Sequence, residues 1–200
     1  MFISFEGTEG VGKTTLIQRL FNTLLEQGHQ VILTREPGGT PLAEKMRELL
    51  LNPNHEENMA AKAELLLIYA ARAQHLQQVI LPALAAGKTV LCDRFTDASF
   101  AYQCAGRGLN AADLTILNQH FVEKMPDLTF WLDAPIELGM NRAKNRGALD
   151  RFEQEKLSFF AKVRSGYEQL WQQQPQRIKR LDATQNPDQV FAQALSYLKN

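Results

Sequence analysis

The first segment of the chain that could carry chemistry is a phosphate-binding loop. Residues 7–14 read Gly-Thr-Glu-Gly-Val-Gly-Lys-Thr and fit the pattern G-x-x-x-x-G-K-S/T. The glycines let successive backbone N–H groups point into one concavity, where they and the positive end of a following helix can hold phosphate oxygens. Lys13 can reach the β- and γ-phosphates, and the Thr14 hydroxyl can bind Mg²⁺. The alternative is a glycine-rich turn that binds nothing, but the context favours a nucleoside triphosphate site.

That context is a strand before the loop and a helix after it. Residues 2–5 form a short apolar run typical of a buried strand, and the residues after Lys13 have apolar positions at helical spacing. Further strands are predicted at 31–34, 89–92, 128–132 and 178–181. Helical patterns lie near 13–27, 41–51, 61–86, 110–124, 135–145, 153–173 and 187–198. The alternation predicts an α/β fold with a parallel sheet covered on both faces. No linker divides the chain, so we predict a single domain over residues 1–200.

The composition is that of an enzyme domain rather than of a nucleic-acid-binding or membrane protein. The chain has 200 residues, 44% of them hydrophobic, with 22 Lys and Arg against 22 Asp and Glu. The balanced charge gives no bulk attraction to nucleic acid or to an anionic membrane. Two cysteines are too few for a disulfide framework, and neither a signal peptide nor a membrane span is indicated. We therefore expect a cytoplasmic protein with no nucleic-acid or membrane partner.

Two classes of phosphate-loop protein are disfavoured. A regulatory GTPase would carry a guanine-reading N-K-x-D motif, which the chain lacks, and a helicase or transport ATPase would normally be longer. Scattered arginines suit phosphoryl transfer between two small phosphorylated molecules, because the planar guanidinium binds phosphate oxygens in a bidentate way and keeps its charge. Two alternatives remain open: another small-molecule or monophosphate kinase, and a non-catalytic nucleotide-binding switch.

Four further segments carry specific motifs. Arg-Glu-Pro-Gly-Gly-Thr at 35–40 follows the second predicted strand, and Arg72 interrupts an apolar helix stripe. Asp-Arg-Phe at 93–95 ends the third strand and is followed by Ser-Phe-Ala-Tyr-Gln at 99–103. Basic residues then cluster at 142–151.

In this order and with these gaps, the segments resemble those of bacterial thymidylate kinases, members of the P-loop nucleoside monophosphate kinase superfamily. The resemblance covers essentially the whole chain, and the 35–40, 93–95 and Ala-Tyr-Gln motifs are more selective than the phosphate loop alone. It implies a five-stranded parallel sheet with helices on both faces, a mobile lid at about 142–153 and a homodimer. The implied activity is transfer of the γ-phosphate of ATP to dTMP in dTTP biosynthesis, with Mg²⁺.

The resemblance also implies a donor site. The expected ATP-binding residues are Gly7, Thr8, Glu9, Gly10, Val11, Gly12, Lys13, Thr14, Thr15 and Arg142. Thr14 and Asp93 are the expected Mg²⁺-side residues, although Asp93 and Arg94 could also be a helix cap beside a surface arginine. Because position 10 is glycine where some relatives have arginine, the lid arginines Arg146 and Arg151 are expected to join Lys13 and Arg94 as catalytic residues. The alternative for the lid arginines is that they form the solvent-exposed basic end of a helix and have no catalytic role.

The acceptor site is implied in the same way. The expected dTMP-binding residues are Glu9, Glu36, Arg47, Tyr69, Arg72, Arg94, Ser99, Tyr102 and Gln103. Arg47 is expected on the monophosphate, Arg94 between the two substrates, Glu9 at the 3′-hydroxyl and Tyr102 near the 2′ position. Ser99 and Gln103 would approach the base.

Arg72 and its neighbours leave two questions open. A charge inside an apolar stripe either extends its head to solvent or reaches a polar group in a pocket; the resemblance assigns Arg72 to the thymine ring. Related chains usually have an aromatic residue four positions earlier that stacks on the base. Here that position is Ile68, and the aromatic is Tyr69, so either Tyr69 stacks or the base rests on an aliphatic wall. His75 and His120 have no metal-ligand spacing and are interpreted as structural.

Overall fold

The sheet is parallel throughout and has the phosphate loop's strand at its centre. The computed structural model describes residues 1–144 and 150–198, with strands β1 (Phe2–Glu6), β2 (Val31–Arg35), β3 (Thr89–Asp93), β4 (Leu128–Asp133) and β5 (Ile178–Asp182). Their order is β2-β3-β1-β4-β5. Ile3 of β1 is in register with Leu91 of β3 and Leu128 of β4. The predicted α/β fold with a five-stranded parallel sheet is confirmed for the described residues.

Helices connect the strands and cover the sheet. They are α1 (Lys13–Glu26), α2 (Pro41–Leu51), α3 (Ala61–His75), α4 (Leu81–Ala85), α5 (Thr96–Ser99), α6 (Ala111–Phe121), α7 (Ile136–Lys144), α8 (Leu157–Gln173) and α9 (Pro187–Ser196). The local sequence determines where two of these helices begin. Thr40 caps α2 by accepting a hydrogen bond from the Ala43 N–H, and Asn186 caps α9 with a capping box; a proline follows each cap.

The helix predicted over 61–86 is divided into three pieces. A π-helical turn, Leu76–Ile80, separates α3 from α4. Pro82 explains the interruption, because proline has no N–H for the i→i−4 bond and its ring crowds the preceding turn. A second π-helical segment, Phe100–Gly106, continues α5 and was not predicted as a helix.

The core lies on both faces of the sheet. On one face, Ile3 and Phe5 of β1 pack with Leu16 and Leu20 of α1 and with Val190 of α9. On the other face, one cluster joins β1 and β3 to the α3–α4 connection, and a second joins Trp131 and the π-helical segment to α8. Because all strands are parallel, their carboxyl ends meet at one edge, where a ligand cleft is expected. Among the described residues, no helix is long and apolar enough to cross a lipid bilayer.

Candidate active site

The phosphate loop contains three glycines whose backbone conformations other residues could adopt only with strain. Gly7, Gly10 and Gly12 have φ values of 134°, 70° and 95°. A Cβ at Gly10 would lie 1.9 Å from the carbonyl oxygen of Gly139. Gly12 is the N-cap of α1 and has no side-chain cap, so the N–H groups of the first turn stay free for an anion.

Lys13 lies inside this loop. Its side chain is buried, and Nζ donates hydrogen bonds to the carbonyl oxygens of Gly7 (3.1 Å) and Thr8 (2.9 Å). Burial, together with the nearby charge of Arg94, lowers the pKa of Lys13 to about 8. A bound phosphate would favour the charged form, so the loop holds a cation that gains from an anionic ligand.

A cavity of about 880 Å³ opens above the carboxyl edge of the sheet. Most of the residues predicted from sequence line it: Glu9, Gly10, Val11, Gly12, Lys13, Thr14, Thr15, Glu36, Arg47, Arg72, Asp93, Arg94, Ser99, Tyr102, Gln103 and Arg142. Gly7 and Thr8 lie beneath it and contribute the carbonyl groups that hold Lys13. The volume falls at the upper end of the range for small-molecule sites, about 300–1,000 Å³.

Arg94 lines the cavity and has a strained backbone. It has a φ of 67° and is the one non-glycine residue with positive φ in the described part of the chain. Its guanidinium donates to Glu9 Oε1 (2.7 Å), to the Gly7 carbonyl (2.9 Å) and to the Tyr167 hydroxyl (3.3 Å). The Tyr102 hydroxyl donates to both oxygens of Glu9 at 2.8 Å. These contacts hold the guanidinium in place within the protein, which disfavours the interpretation of Arg94 as a surface arginine.

Glu6 and Tyr167 support Arg94 from below, and the sequence did not predict them. Glu6 is fully buried and accepts hydrogen bonds from the Phe95 N–H (2.7 Å) and the Tyr167 hydroxyl (2.8 Å). Burial, together with the nearby Asp97, raises the pKa of Glu6 to about 8. The one sequence signal was a carboxylate at the end of an otherwise apolar strand.

Asp93 and Thr14 offer oxygen atoms suited to Mg²⁺. Asp93 lines the cavity, and its Oδ1 is buried without a hydrogen-bond partner. The Thr14 side chain lines the same cavity beside Lys13. Carboxylate and hydroxyl oxygens, with phosphate oxygens and water, are the ligands that Mg²⁺ prefers. The residues therefore fit the ion that the family implies.

Arg72 does not extend to solvent. Its side chain is 2% exposed, and Nε donates to Glu36 Oε2 at 2.6 Å. Nη2 donates to Ser99 Oγ (3.0 Å) and to the Phe95 carbonyl (3.2 Å), whereas Nη1 is buried without a partner. A buried unpaired donor is costly, and Arg72 lines the cavity, so Nη1 is suited to an acceptor on a ligand.

Ile68, rather than Tyr69, forms the aliphatic wall beside Arg72. Ile68 lines the cavity and Tyr69 does not; the Tyr69 hydroxyl donates to Asn118 Oδ1 at 2.7 Å, and its ring packs on Leu65 and Leu114. Successive helix residues are rotated by about 100°, so Tyr69 faces α6. The structure therefore favours the aliphatic wall, and the base contact expected of Tyr69 stays a prediction.

Arg151 does not reach the cavity. Its Nη2 lies 2.7 Å from Glu64 Oε2, and its Nε donates to the Leu50 carbonyl at 2.7 Å. Glu64 is almost fully buried and also accepts from Gln103 Nε2 at 2.9 Å and from Arg107, which in turn pairs with Glu155. In this structure Arg151 is thus paired with Glu64 outside the cavity, and the catalytic role expected of it stays a prediction.

Of the other three arginines predicted for the site, two line the cavity. Arg142 of α7 lines the cavity, as expected for a residue of the ATP site. Arg146 lies outside the described residues. Arg47 of α2 also lines the cavity, and its Nη1 donates to the Pro37 carbonyl at 2.9 Å. Burial lowers the pKa of Arg47, and the neighbouring Arg35 adds to this effect.

The parallel sheet, the phosphate loop and the arginines that line the same cavity define a class of protein. A donor-phosphate loop and a second, arginine-lined pocket in one cleft are the features of a P-loop phosphotransferase that acts on a small phosphorylated acceptor.

Comparison with known proteins gives the particular family. A family model described as thymidylate kinase matches residues 5–194. Curated thymidylate kinases are 75% identical over 198 residues in Acinetobacter baumannii (99% of this chain, 100% of the relative) and 68% identical over 199 residues in Acinetobacter baylyi (100% and 98%). A solved thymidylate kinase from Ehrlichia chaffeensis superposes with a TM-score of 0.80 at 32% identity, covering 99% of this chain and 98% of that one. The chain belongs to the thymidylate kinase family.

Proposed function

We propose that the chain transfers the γ-phosphate of ATP to dTMP, giving ADP and dTDP for dTTP synthesis. The observation that carries the proposal is the pairing, within one cavity, of the phosphate loop with Arg72, whose buried Nη1 has no partner. Arg72, Ser99 and Gln103 together offer donors and acceptors that match the polar edge of a pyrimidine. The names of the curated relatives agree with this acceptor.

The donor side is proposed to work by charge and alignment. Lys13 and the N–H groups at the start of α1 hold the ATP phosphates. Mg²⁺, held from Thr14 and Asp93, would neutralise charge on the phosphate oxygens. Arg142 approaches the same cavity from α7.

The acceptor side needs no strong general base. A dTMP phosphate oxygen is already a nucleophile at neutral pH, so the chain's task is to hold it in line with the γ-phosphate. We assign this to Arg47 and Arg94, with Arg94 placed between the two substrates. Charge that develops in transfer then meets arginine and lysine already fixed in position. Whether Arg146 adds to this charge stays a prediction, and the kcat of an Arg146→Ala variant tests it.

The acceptor prediction separates three functions. dTMP should be phosphorylated about 10- to 100-fold faster in kcat/KM than dCMP, dGMP or AMP, since a buried polar group left unpaired by the wrong base costs about 1–3 kcal/mol. A panel of monophosphates assayed for ADP release measures this, and omission of Mg²⁺ should abolish transfer. Equal rates with AMP and dTMP would indicate a broader monophosphate kinase. Hydrolysis without any acceptor dependence would indicate a nucleotide switch.

We infer that the protein is a homodimer that uses the outer face of α3 and α6. These packed helices expose three large apolar side chains: Leu66 (58%), Ile116 (54%) and Phe121 (49%). Large exposed apolar side chains on neighbouring helices are typical of a protein interface.

The two buried, unpaired cysteines also agree with a cytoplasmic location, which cell fractionation would test.

Replacing Leu66 with glutamate should convert the dimer to a monomer. A stable interface buries about 1,200 Å² or more, and a carboxylate at its centre would be desolvated without a partner. Sedimentation at micromolar concentration measures the change. Leu25→Glu, an exposed position on α1, is the matched control and should stay dimeric. A wild-type protein that sediments as a monomer would refute the interface.

A further inference from the structure

His75 is a buried imidazole that the transfer chemistry described above does not use. It is the last residue of α3, lies one helical turn after Arg72, and is fully buried. Its Nδ1 is 3.0 Å from Glu36 Oε1 and its Nε2 is 2.5 Å from Thr34 Oγ1. It does not line the cavity, although Arg72 and Glu36 do.

Glu36 connects this histidine to Arg72. One carboxylate oxygen faces His75 Nδ1, and the other accepts the 2.6 Å hydrogen bond from Arg72 Nε. The Glu36 side chain is 2% exposed, so water cannot substitute for a lost partner. Because a carboxylate can only accept, Nδ1 carries the proton and donates, and in the neutral ring Nε2 accepts from the Thr34 hydroxyl.

The backbone clamps the imidazole in this orientation. A Cβ at Gly39 would lie 2.4 Å from Cδ2 and 2.5 Å from Nε2 of His75, and Gly39 has a φ of +86°. The glycine therefore lets the segment after β2 close directly on the ring. With Thr34 at one nitrogen and Glu36 at the other, the ring has one position.

The geometry points to His75 as a positioning residue for recognition of the acceptor base. His75 holds the Glu36 carboxylate, and Glu36 in turn holds Nε of Arg72. The Ser99 hydroxyl and the Phe95 carbonyl hold Nη2 of the same arginine. The remaining Nη1, which has no partner among the described residues, is thereby left for the pyrimidine edge. This inference rests on the proposed function, since it names the residue that orients the base-reading arginine.

Two substitutions at position 75 test the inference. In His75→Leu the donor to Glu36 is lost, so the KM for dTMP should rise about tenfold or more, because a charge-assisted hydrogen bond is misdirected. The kcat and the KM for ATP should change less than about threefold, since the phosphate loop and Arg94 are untouched. His75→Asn keeps an N–H donor near the position of Nδ1 and should recover most of the dTMP affinity.

Two further variants separate positioning from general destabilisation. Leu76→Ala is a buried change at the next position that does not touch Glu36, so it should lower the melting temperature without raising the KM for dTMP. In an Arg72→Leu background, His75→Leu should add little to the KM, because the residue through which it acts is already gone. If His75→Leu does not fold, His75→Phe, which keeps an aromatic ring but has no donor for Glu36, carries the test in the same assays.

Several outcomes would overturn the role of His75. These are an unchanged KM for dTMP in His75→Leu, an equal rise in Leu76→Ala, or a full additional rise in the Arg72→Leu background. Calorimetric binding of dTMP without ATP gives the same comparisons independently of catalysis. A wild-type chain that binds dTMP but does not phosphorylate it would contradict the proposed activity, while the binding series still decides the role of His75.

Discussion

Replacing Lys13 with alanine is expected to lower kcat by about 10²–10³-fold or more, the size of effect seen when one preorganised charge-stabilising donor is removed. In the ligand-free fold Nζ contacts the neutral carbonyls of Gly7 and Thr8. Removal of the side chain therefore breaks two hydrogen bonds to carbonyl groups and, within the described part of the chain, none to a carboxylate, so the fold should survive. The lost interaction acts on charge that develops during transfer, so kcat falls rather than affinity alone.

An ADP-release assay with saturating dTMP measures kcat, and circular dichroism with a melting curve reports the fold. Lys62→Ala removes an exposed lysine of α3 and serves as the control with unchanged turnover. Near-wild-type turnover in a folded Lys13→Ala protein would show that this loop does not hold the donor.

Replacing Arg94 with alanine is expected to reduce kcat and kcat/KM together by about 10³-fold or more, the lower bound for an arginine supplied to a transferring phosphoryl group. The arginine is held in place by Glu9, the Gly7 carbonyl and Tyr167, so no reorganisation is needed when charge develops. Arg164→Ala is the matched control, because Arg164 pairs with Asp133 and does not line the cavity.

Arg94→Gly separates the catalytic loss from the strain in the backbone. Position 94 has a φ of 67°, which glycine adopts without the cost that an L side chain incurs, about 1–2 kcal/mol. The glycine variant should therefore melt at a higher temperature than the alanine variant while being equally inactive. Equal melting temperatures would argue against strain at this residue, and retained activity in either variant would argue against its catalytic role.

Much of this protein follows from local patterns in the sequence. Glycine spacing at 7–12 defines a phosphate loop, because each glycine meets a requirement of φ or close approach that the structure shows. Apolar runs and helical spacing predicted the order of strands and helices, since period and burial are properties of short segments. The parallel alternation then placed the ends of β1 and β3 at one edge, so Lys13, Asp93 and Arg94 were correctly expected to share a cavity.

Tertiary structure decided how the side chains of that cavity are oriented. Arg72 lies in an apolar stripe, and sequence alone allowed it to extend to solvent; the carboxylate of Glu36, from another segment, holds it inside. Tyr69 and Ile68 differ by one helix position, and α6 determines which of them faces the cavity. Arg151 was assigned to the phosphates, yet the buried Glu64 holds it elsewhere.

The same reason explains what the sequence missed. The ion pair between Glu36 and Arg72, and the contact of His75 with the same carboxylate, join residues 36 and 39 positions apart in the chain. Such pairings depend on which elements pack together and leave no periodic trace in the sequence. The sequence by itself determined the class of fold and the phosphate loop, because both depend on short-range spacing. The tertiary structure alone decided that Arg72 is held at the cavity and which groups hold it there, because buried charges take the partners that packing brings within reach.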